Sequence, residues 1–332
     1  MLSGWIILDK PVGMGSTNCV GWVKRALREA GEVKTRVGHG GTLDPLASGV
    51  LPIAIGEATK LAGHMLGATK VYDFTIAFGA ETDTLDLEGA VVATSDKLPA
   101  LAEVEAVLPR FTGLIEQVPP AFSAIKVDGR RAYDLARKGE AVVLKSRAVT
   151  VHSISIRHPE LVSGSMAATT PPSPEWMLKQ VQHDGIVEIT LSATVSKGTY
   201  IRSLARDIAR ALGTVGHVTM LRRTRAGPFG LEQAISLDFL DAAAKARGLD
   251  GAVLPLIAGL DDIPALPVTP DEARLLHHGQ RLFGNPAKGP HQSTTLTGTL
   301  KPGLYLATDE HRPVALVEVS ASDVIVVRGF NI

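Results

Sequence analysis

Asp44 is the single formally charged side chain in GHGGTLDPLASGVLPIAIG (residues 38–56), a stretch otherwise dominated by glycine and small or apolar residues. A lone carboxylate in such company can serve as a covalent nucleophile or a general acid–base group. It can also cap a turn, because Asp at an N-cap with proline at the first helical position is a common device. Gly38, Gly40 and Gly41 strip side chains from the backbone just ahead of it, which leaves room for another molecule to approach. His39 adds a flat polar ring to the same loop. The two readings are compatible, since a rigid turn is a good way to aim a reactive group.

Other chemistries find no support. There is no G-x-x-x-x-G-K-[ST], and neither Gly13-Met14-Gly15 nor Gly38-His39-Gly40 supplies the third glycine of a dinucleotide fingerprint. The adjacent His277 and His278 suit chelation poorly, and no histidine pair has metal-ligand spacing, so neither metal nor cofactor is expected. No G-x-S-x-G elbow occurs. Cys19 is the only cysteine, which rules out an intramolecular disulfide.

The 332 residues suffice for one large domain and a smaller one, and a 45% hydrophobic, 20% charged composition fits a globular chain with a sizeable core. No apolar run reaches the ~20 residues a membrane helix requires, and the N-terminal MLSGWIILDK does not read as a signal peptide, so a cytoplasmic protein is expected. Lysine plus arginine equals aspartate plus glutamate at 34 each, which argues against binding nucleic acid through bulk charge. The charges are nevertheless segregated. Residues 196–230 hold seven Lys/Arg and one Asp, whereas residues 68–105 hold eight acids and two bases. That pattern points to one surface built for an anionic partner.

Several elements must position the loop. STNCVGWVKRALREAG (16–31) sets Val20, Val23, Leu27 and Ala30 at helical spacing, with Ser16 or Thr17 to cap its start and Gly31 its end. VYDFTIAFG (71–79) alternates, with Tyr72, Phe74, Ile76 and Phe78 on one buried face of a strand. Residues 149–156 and 186–195 read as two more strands, separated by a proline- and serine-rich insertion at 157–185 with a short helix at EWMLKQV. TYIRSLARDIARALG (199–213) is helical, and its Arg202, Arg206 and Arg210 recur every four residues, either as a solvated basic face or as cations that meet phosphates. Beyond about residue 250 come prolines and acids, then strands at 303–308, 313–319 and 323–330, which read as a small β-rich domain. The expected division is 1–252 and 253–332.

These residues resemble the TruB family of pseudouridine synthases. The resemblance rests on GHGGTLDPLASGVLPIAIGEATK (38–60), DKPVGMGST (9–17), VYDFTIAFGAETDTLDLEG (71–89), VPPAFSAIKVDGRRAYDLARKGE (118–140), SKGTYIRSLARDIARALG (196–213) and HVTMLRRTRAGPF (217–229), in family order. It implies an α+β pseudouridine synthase fold with a large mixed, mostly antiparallel sheet and a small C-terminal PUA-like β domain that binds RNA. It further implies conversion of uridine 55 in the tRNA T-loop to pseudouridine, without cofactor or metal. By the same resemblance Asp44 matches the nucleophile, and Tyr72 the ring that stacks on the target base. Tyr200 and Leu221 match residues lining the uracil pocket, His39 the residue that holds the everted loop, and Arg202 the base beside the carboxylate. Periodicity alone would make Tyr72, Tyr200 and Leu221 core residues and His39 a loop histidine. Nucleophilic chemistry needs Asp44 ionised; burial opposes this and a neighbouring guanidinium favours it, which is the role assigned to Arg202. The partner implied is tRNA through its T-arm, with no obligate protein partner, no membrane, and a monomeric enzyme. Two rivals stand beside this reading: a guide-RNA-dependent ribosomal RNA synthase, and a tRNA-binding or folding module.

Overall fold

The computed structural model describes residues 2–331 apart from 33, 128, 141, 158–184, 284–299, 311 and 321–322. Its architecture is α+β, as expected. A nine-stranded sheet runs in the order Gly4–Lys10, Ser48–Ile55, Gly216–Ala226, Lys70–Phe78, Glu188–Val195, Arg147–Ile156 and Gly113–Gln117. Val37–His39 lies along Ser48–Ile55, and Phe229–Gly230 along Gly216–Ala226. Pairing is antiparallel except at one short seam, where Arg222 and Arg223 run parallel to Ser48 and Gly49. Gly49 is required there: at φ +98° a Cβ would stand 2.1 Å from the Arg223 carbonyl oxygen.

The alternation in the Tyr72 strand places Phe74, Ile76 and Phe78 in a core with Ile201, Leu204 and Ile208 of the helix Ile201–Ala211. Each such fully buried side chain contributes roughly 1.5–3 kcal/mol. A second core joins Ile6, Leu8, Leu51 and Ile53 to Cys19, Val23, Ala26 and Leu27 of the helix Ser16–Glu29. Gly15, not Ser16 or Thr17, is the N-cap residue of that helix, and Gly31 follows its end at φ +99°. Tyr72 and Leu221 pack against both cores, so they mark the place where the two meet.

The strands expected at 149–156 and 186–195 form and pair antiparallel as Arg147–Ile156 and Glu188–Val195. All of the insertion between them except residues 157 and 185, including the short helix expected at EWMLKQV, lies outside the described residues.

The C-terminal strands form a separate five-stranded sheet, in the order Ala265–Pro267, Gly303–Asp309, Arg312–Val319, Asp323–Gly329 and Leu282–Phe283. The helix Pro270–His277 packs on this sheet, an element beyond the strands expected from the sequence. Its signal was present in Thr-Pro-Asp-Glu: Thr269 N donates to the Glu272 carboxylate at 2.8 Å, and the Thr269 hydroxyl accepts from Glu272 N at 3.3 Å. The two sheets share a core in which Leu306, Leu316 and Phe330 join Trp5, Leu256, Leu260 and Ile263.

Candidate active site

Asp44 sits in a turn clamped from three sides. Ala47 N donates to the Asp44 carbonyl at 3.1 Å, which closes a four-residue turn with Pro45 in second position. No helix starts there, so the capping reading is replaced by a plain proline turn. The Ser16 hydroxyl accepts from Leu43 N at 2.8 Å and lies 3.0 Å from the Leu43 carbonyl, which it donates to; it fixes the preceding residue instead of capping its own helix. Fully buried Lys10 donates to the carbonyls of Pro11, Met14 and Pro45 at 2.9, 2.5 and 3.1 Å, and Gly13 N adds a 2.8 Å bond to Pro45 O.

The glycines ahead of Asp44 divide between the two uses: Gly41 borders the cavity beside Asp44, as expected of a bare backbone facing a ligand, whereas Gly40 serves the protein's own packing. A Cβ on Gly40 would stand 2.6 Å from Met65 Cγ, and one on Gly41, at φ +154°, 3.4 Å from the Arg223 guanidinium. Only the position of Gly38 faces open space among the three.

The Asp44 side chain reaches Arg202, with Oδ2 2.9 Å from Nη2. The guanidinium is buried and held on its other sides by the Asp86 carboxylate at 3.2 Å, the Thr84 carbonyl at 2.8 Å and the Phe122 carbonyl at 3.0 Å. Asp86 is in turn fixed by the Thr84 hydroxyl at 2.5 Å and Glu88 N at 3.0 Å. Asp44 is 36% exposed at its side chain and Asp86 only 6%, so the reachable carboxylate is Asp44 and the buried one is the anchor. Asp86 lies in the acid-rich stretch 68–105, but nothing in its spacing distinguishes it from Asp83.

A cavity of about 300 Å³ opens beside this pair, lined by Asp44, Tyr72, Tyr200, Arg202 and Leu221 together. Register explains the convergence: Leu221 lies beside Phe74, and Arg223 beside Tyr72 on the neighbouring strand. Tyr200 is the residue before the Arg202 helix and is gripped by Gln117, which accepts from its N–H at 2.8 Å and donates to its carbonyl at 3.2 Å. The Arg147 guanidinium lies 4.8 Å from the Tyr200 ring centroid.

Five cations, Lys70, Arg147, Lys197, Arg202 and Arg223, line this cavity against the single carboxylate of Asp44. Lys70 is fixed by the carbonyls of Met65, Leu66 and Ala68 at 3.1, 2.8 and 2.5 Å. Burial, with the nearby Arg223 and Lys197 charges, pushes its ammonium down to about 8. It therefore remains largely cationic at neutral pH. Such an excess suits an anionic ligand.

His39 does not line the cavity. It ends the strand Val37–His39, opposite Ile53, and its buried Nδ1 has no hydrogen-bond partner among the described residues. Burial and the Arg223 charge hold its imidazole below the usual range, so the ring is neutral at pH 7.

The arginine row on the helix is not a free phosphate-binding face. Arg202 pairs with Asp44 and Asp86, Arg206 with Asp207, and Arg210 with Glu81. Arg202 and Arg206 also donate to the carbonyls of Phe122 and Val118, each at 3.0 Å, and so fasten the root of segment 118–140. Glu81 and Asp86 come from the acid-rich stretch 68–105, so part of the segregated charge is complementary and meets inside the molecule. A different run stays unneutralised. Lys126, Arg131, Arg137 and Lys138 are exposed, and none has a carboxylate within 4.0 Å among the described residues. Arg131 and Arg137 flank the Tyr133 ring at 5.8 and 5.6 Å.

Among the described residues no three His, Cys, Asp or Glu side chains cluster as a metal site, and no helix is long and apolar enough to cross a membrane.

Comparison with known proteins gives this geometry a context. Residues 25–172 match the model of the TruB family pseudouridylate synthase N-terminal domain, and residues 202–261 that of the tRNA pseudouridylate synthase B C-terminal domain. The chain is 56% identical to tRNA pseudouridine synthase B of Novosphingobium aromaticivorans, over 100% of this chain and 98% of that protein. It is 51% identical to the protein of the same name from Zymomonas mobilis, over 99% and 96%. Among solved structures, the archaeal box H/ACA sRNP Nop10-Cbf5 complex contains a chain of the same fold, with TM-score 0.65 and 24% identity over 99% of this chain and 86% of that one. The structure of an H/ACA RNP bound to a substrate RNA containing 2'-deoxyuridine gives TM-score 0.67 at 24% identity, over 99% and 85%. With family models matched in both halves and relatives above half identity along its full length, this chain belongs to the TruB family of pseudouridine synthases.

Proposed function

We propose that this chain isomerises uridine 55 in the T-loop of tRNA to pseudouridine, with Asp44 as the nucleophile toward a base turned out of the RNA. The observation that carries the reading is the Asp44–Arg202 pair, at 2.9 Å, on the wall of a cavity that also presents the rings of Tyr72 and Tyr200. The family supplies tRNA pseudouridylation; the position in the RNA and the role of Asp44 are the further step.

Isomerisation breaks the C1′–N1 bond, turns the uracil while it stays bound and joins C1′ to C5; the proton lost from C5 is matched by one gained at N1, so the composition is unchanged. A carboxylate divides this into easier steps through a covalent adduct. Asp44 suits the task because a buried cation balances its charge while part of its side chain remains reachable. Extruding the base costs a few kcal/mol. Stacking on an aromatic face returns roughly 1–3 kcal/mol, which Tyr72 would supply. Tyr200 and Leu221 would bound the uracil, and neutral His39 would support the RNA loop from outside the cavity.

The cavity's excess of cations would take the phosphates flanking the target nucleoside, and the exposed bases of 126–138 the duplex beyond it. Residues 1–252 would form the catalytic domain and 253–332 a second RNA-contacting unit. The enzyme would act on tRNA in the cytoplasm as a monomer without guide RNA. Incubating the purified chain with an unmodified tRNA transcript and mapping pseudouridine tests this. Modification confined to position 55 is expected; modification elsewhere, or only with added guide RNA or protein, would overturn it.

A further inference from the structure

Arg223 is buried, with 1% of its surface exposed, yet its guanidinium borders the cavity. Its Nε donates to the Val50 carbonyl at 2.7 Å and its Nη2 to the Gly41 carbonyl at 3.2 Å. Nη1 reaches the Thr42 carbonyl and the Tyr72 hydroxyl, each at 3.4 Å. All of these partners are neutral, and no carboxylate pairs with this guanidinium among the described residues. A buried cation without a counter-charge is strongly disfavoured. Arg202, under the same cavity, has two carboxylates.

We infer that Arg223 is a positioning residue for the reaction, joining the Tyr72 ring to the loop that carries Asp44 so that base and carboxylate meet in one fixed geometry. The inference rests on reading the cavity as the pseudouridylation site. Gly41 and Thr42 stand three and two residues ahead of Asp44, so the fork grips the loop just before the nucleophile. Tyr72 Oη is held by the same fork, and the ring centroid lies 6.0 Å from Arg223 Cζ. Val50 ties the assembly to the strand that follows Asp44, and the parallel seam at Gly49 fixes the Arg223 backbone. Lysine would keep the charge but cannot span these acceptors, because a fork and a point donor differ in geometry. The Arg223 charge also contributes, after burial, to lowering the His39 and Lys70 values, as an uncompensated cation should.

The test compares wild type, Arg223→Lys, Tyr72→Phe and the double variant in single-turnover assays on a tRNA transcript, with tRNA affinity measured separately. Arg223→Lys should slow the bound reaction about 100-fold, as a misplacement of order 1 Å does, with affinity changed less than about threefold. Tyr72→Phe should slow it roughly tenfold, and the double variant should be no more than about threefold slower than Arg223→Lys alone, since the two share one contact. Losses that multiply, or an Arg223→Lys rate equal to wild type, overturn the inference. Should Arg223→Lys not fold, Tyr72→Phe decides: wild-type turnover sinks the inference, and a slowed rate at unchanged affinity supports it. An inactive wild-type chain would instead sink the functional reading, and this inference with it.

Discussion

Residues 196–230 and 126–138 are both rich in arginine, and the fold uses most of their charges in opposite ways. In the first, Arg202, Arg206, Arg210 and Arg222 are each paired with a carboxylate, and Arg223 is buried against carbonyls. In the second, five bases stand with two acids in the sequence, and only Arg130 has an ion-pair partner, Glu140, among the described residues. Charge density along a chain therefore does not locate a nucleic-acid surface. What matters is whether the acids of another segment fold onto it, as Glu81 and Asp86 do here.

The sharpest way to separate the two regions is to remove one charge from each. Arg202→Ala should slow single-turnover pseudouridine formation about 10²–10³-fold, the scale for deleting one preorganised electrostatic partner. It should also destabilise the fold by about 3–5 kcal/mol, because Asp86 is left buried without a counter-charge. Urea denaturation beside the rapid-quench assay checks both. A rate within tenfold of wild type would dismiss the pair as incidental.

Replacing Arg131, Arg137 and Lys138 together with alanine should act on binding instead. We expect weaker tRNA affinity and a log K against log salt slope shallower by about 2–3. The rate at saturating tRNA should hold. An unchanged salt slope would remove this segment from the RNA-binding surface.

Lys70 links the cavity to pH. Its folded value of about 8 lies below the ordinary lysine value of 10.5, so burial disfavours the protonated folded state. Below pH 8 both states hold the proton and the folded state bears the full cost. Between about 8 and 10.5 only the unfolded chain keeps it, so this group makes stability rise with pH across that window. Thermal midpoints measured at pH 7 and 9.5 should show the rise in wild type relative to Lys70→Met; a parallel response in the two would remove Lys70 from the account.

The smallest effect should come from Arg210→Gln. Arg210 is 56% exposed at its side chain, so its pair with Glu81 resembles a surface bridge worth about 1 kcal/mol or less. Neither tRNA affinity nor the salt slope should change, and a clear loss of affinity would show that this face does meet RNA.

Much of the framework was legible because it is periodic. The alternation at 71–79 and the helical stripe at 201–212 became the two faces of one core. Family motifs identified Asp44, Tyr72, Tyr200, Arg202 and Leu221, and the fold brings all five to one cavity. His39 stays on the adjoining strand because pairing with Ile53 turns the chain before the loop begins. Pairings between distant segments were not legible. Asp86 reaches Arg202 across more than a hundred residues, Gln117 grips the backbone of Tyr200, and Arg223 looks like any base in a run until its acceptors are seen. The glycines were legible in part for a related reason: a bare backbone signals close approach but not by whom, and Gly41 borders the cavity whereas Met65 fills the space beside Gly40.

The most direct test is single-turnover conversion of an unmodified tRNA transcript by Asp44→Asn, with pseudouridine mapped by position and binding followed in parallel. The account predicts tRNA affinity near wild type and no pseudouridine at position 55. Product formed at position 55 at a comparable rate would contradict it.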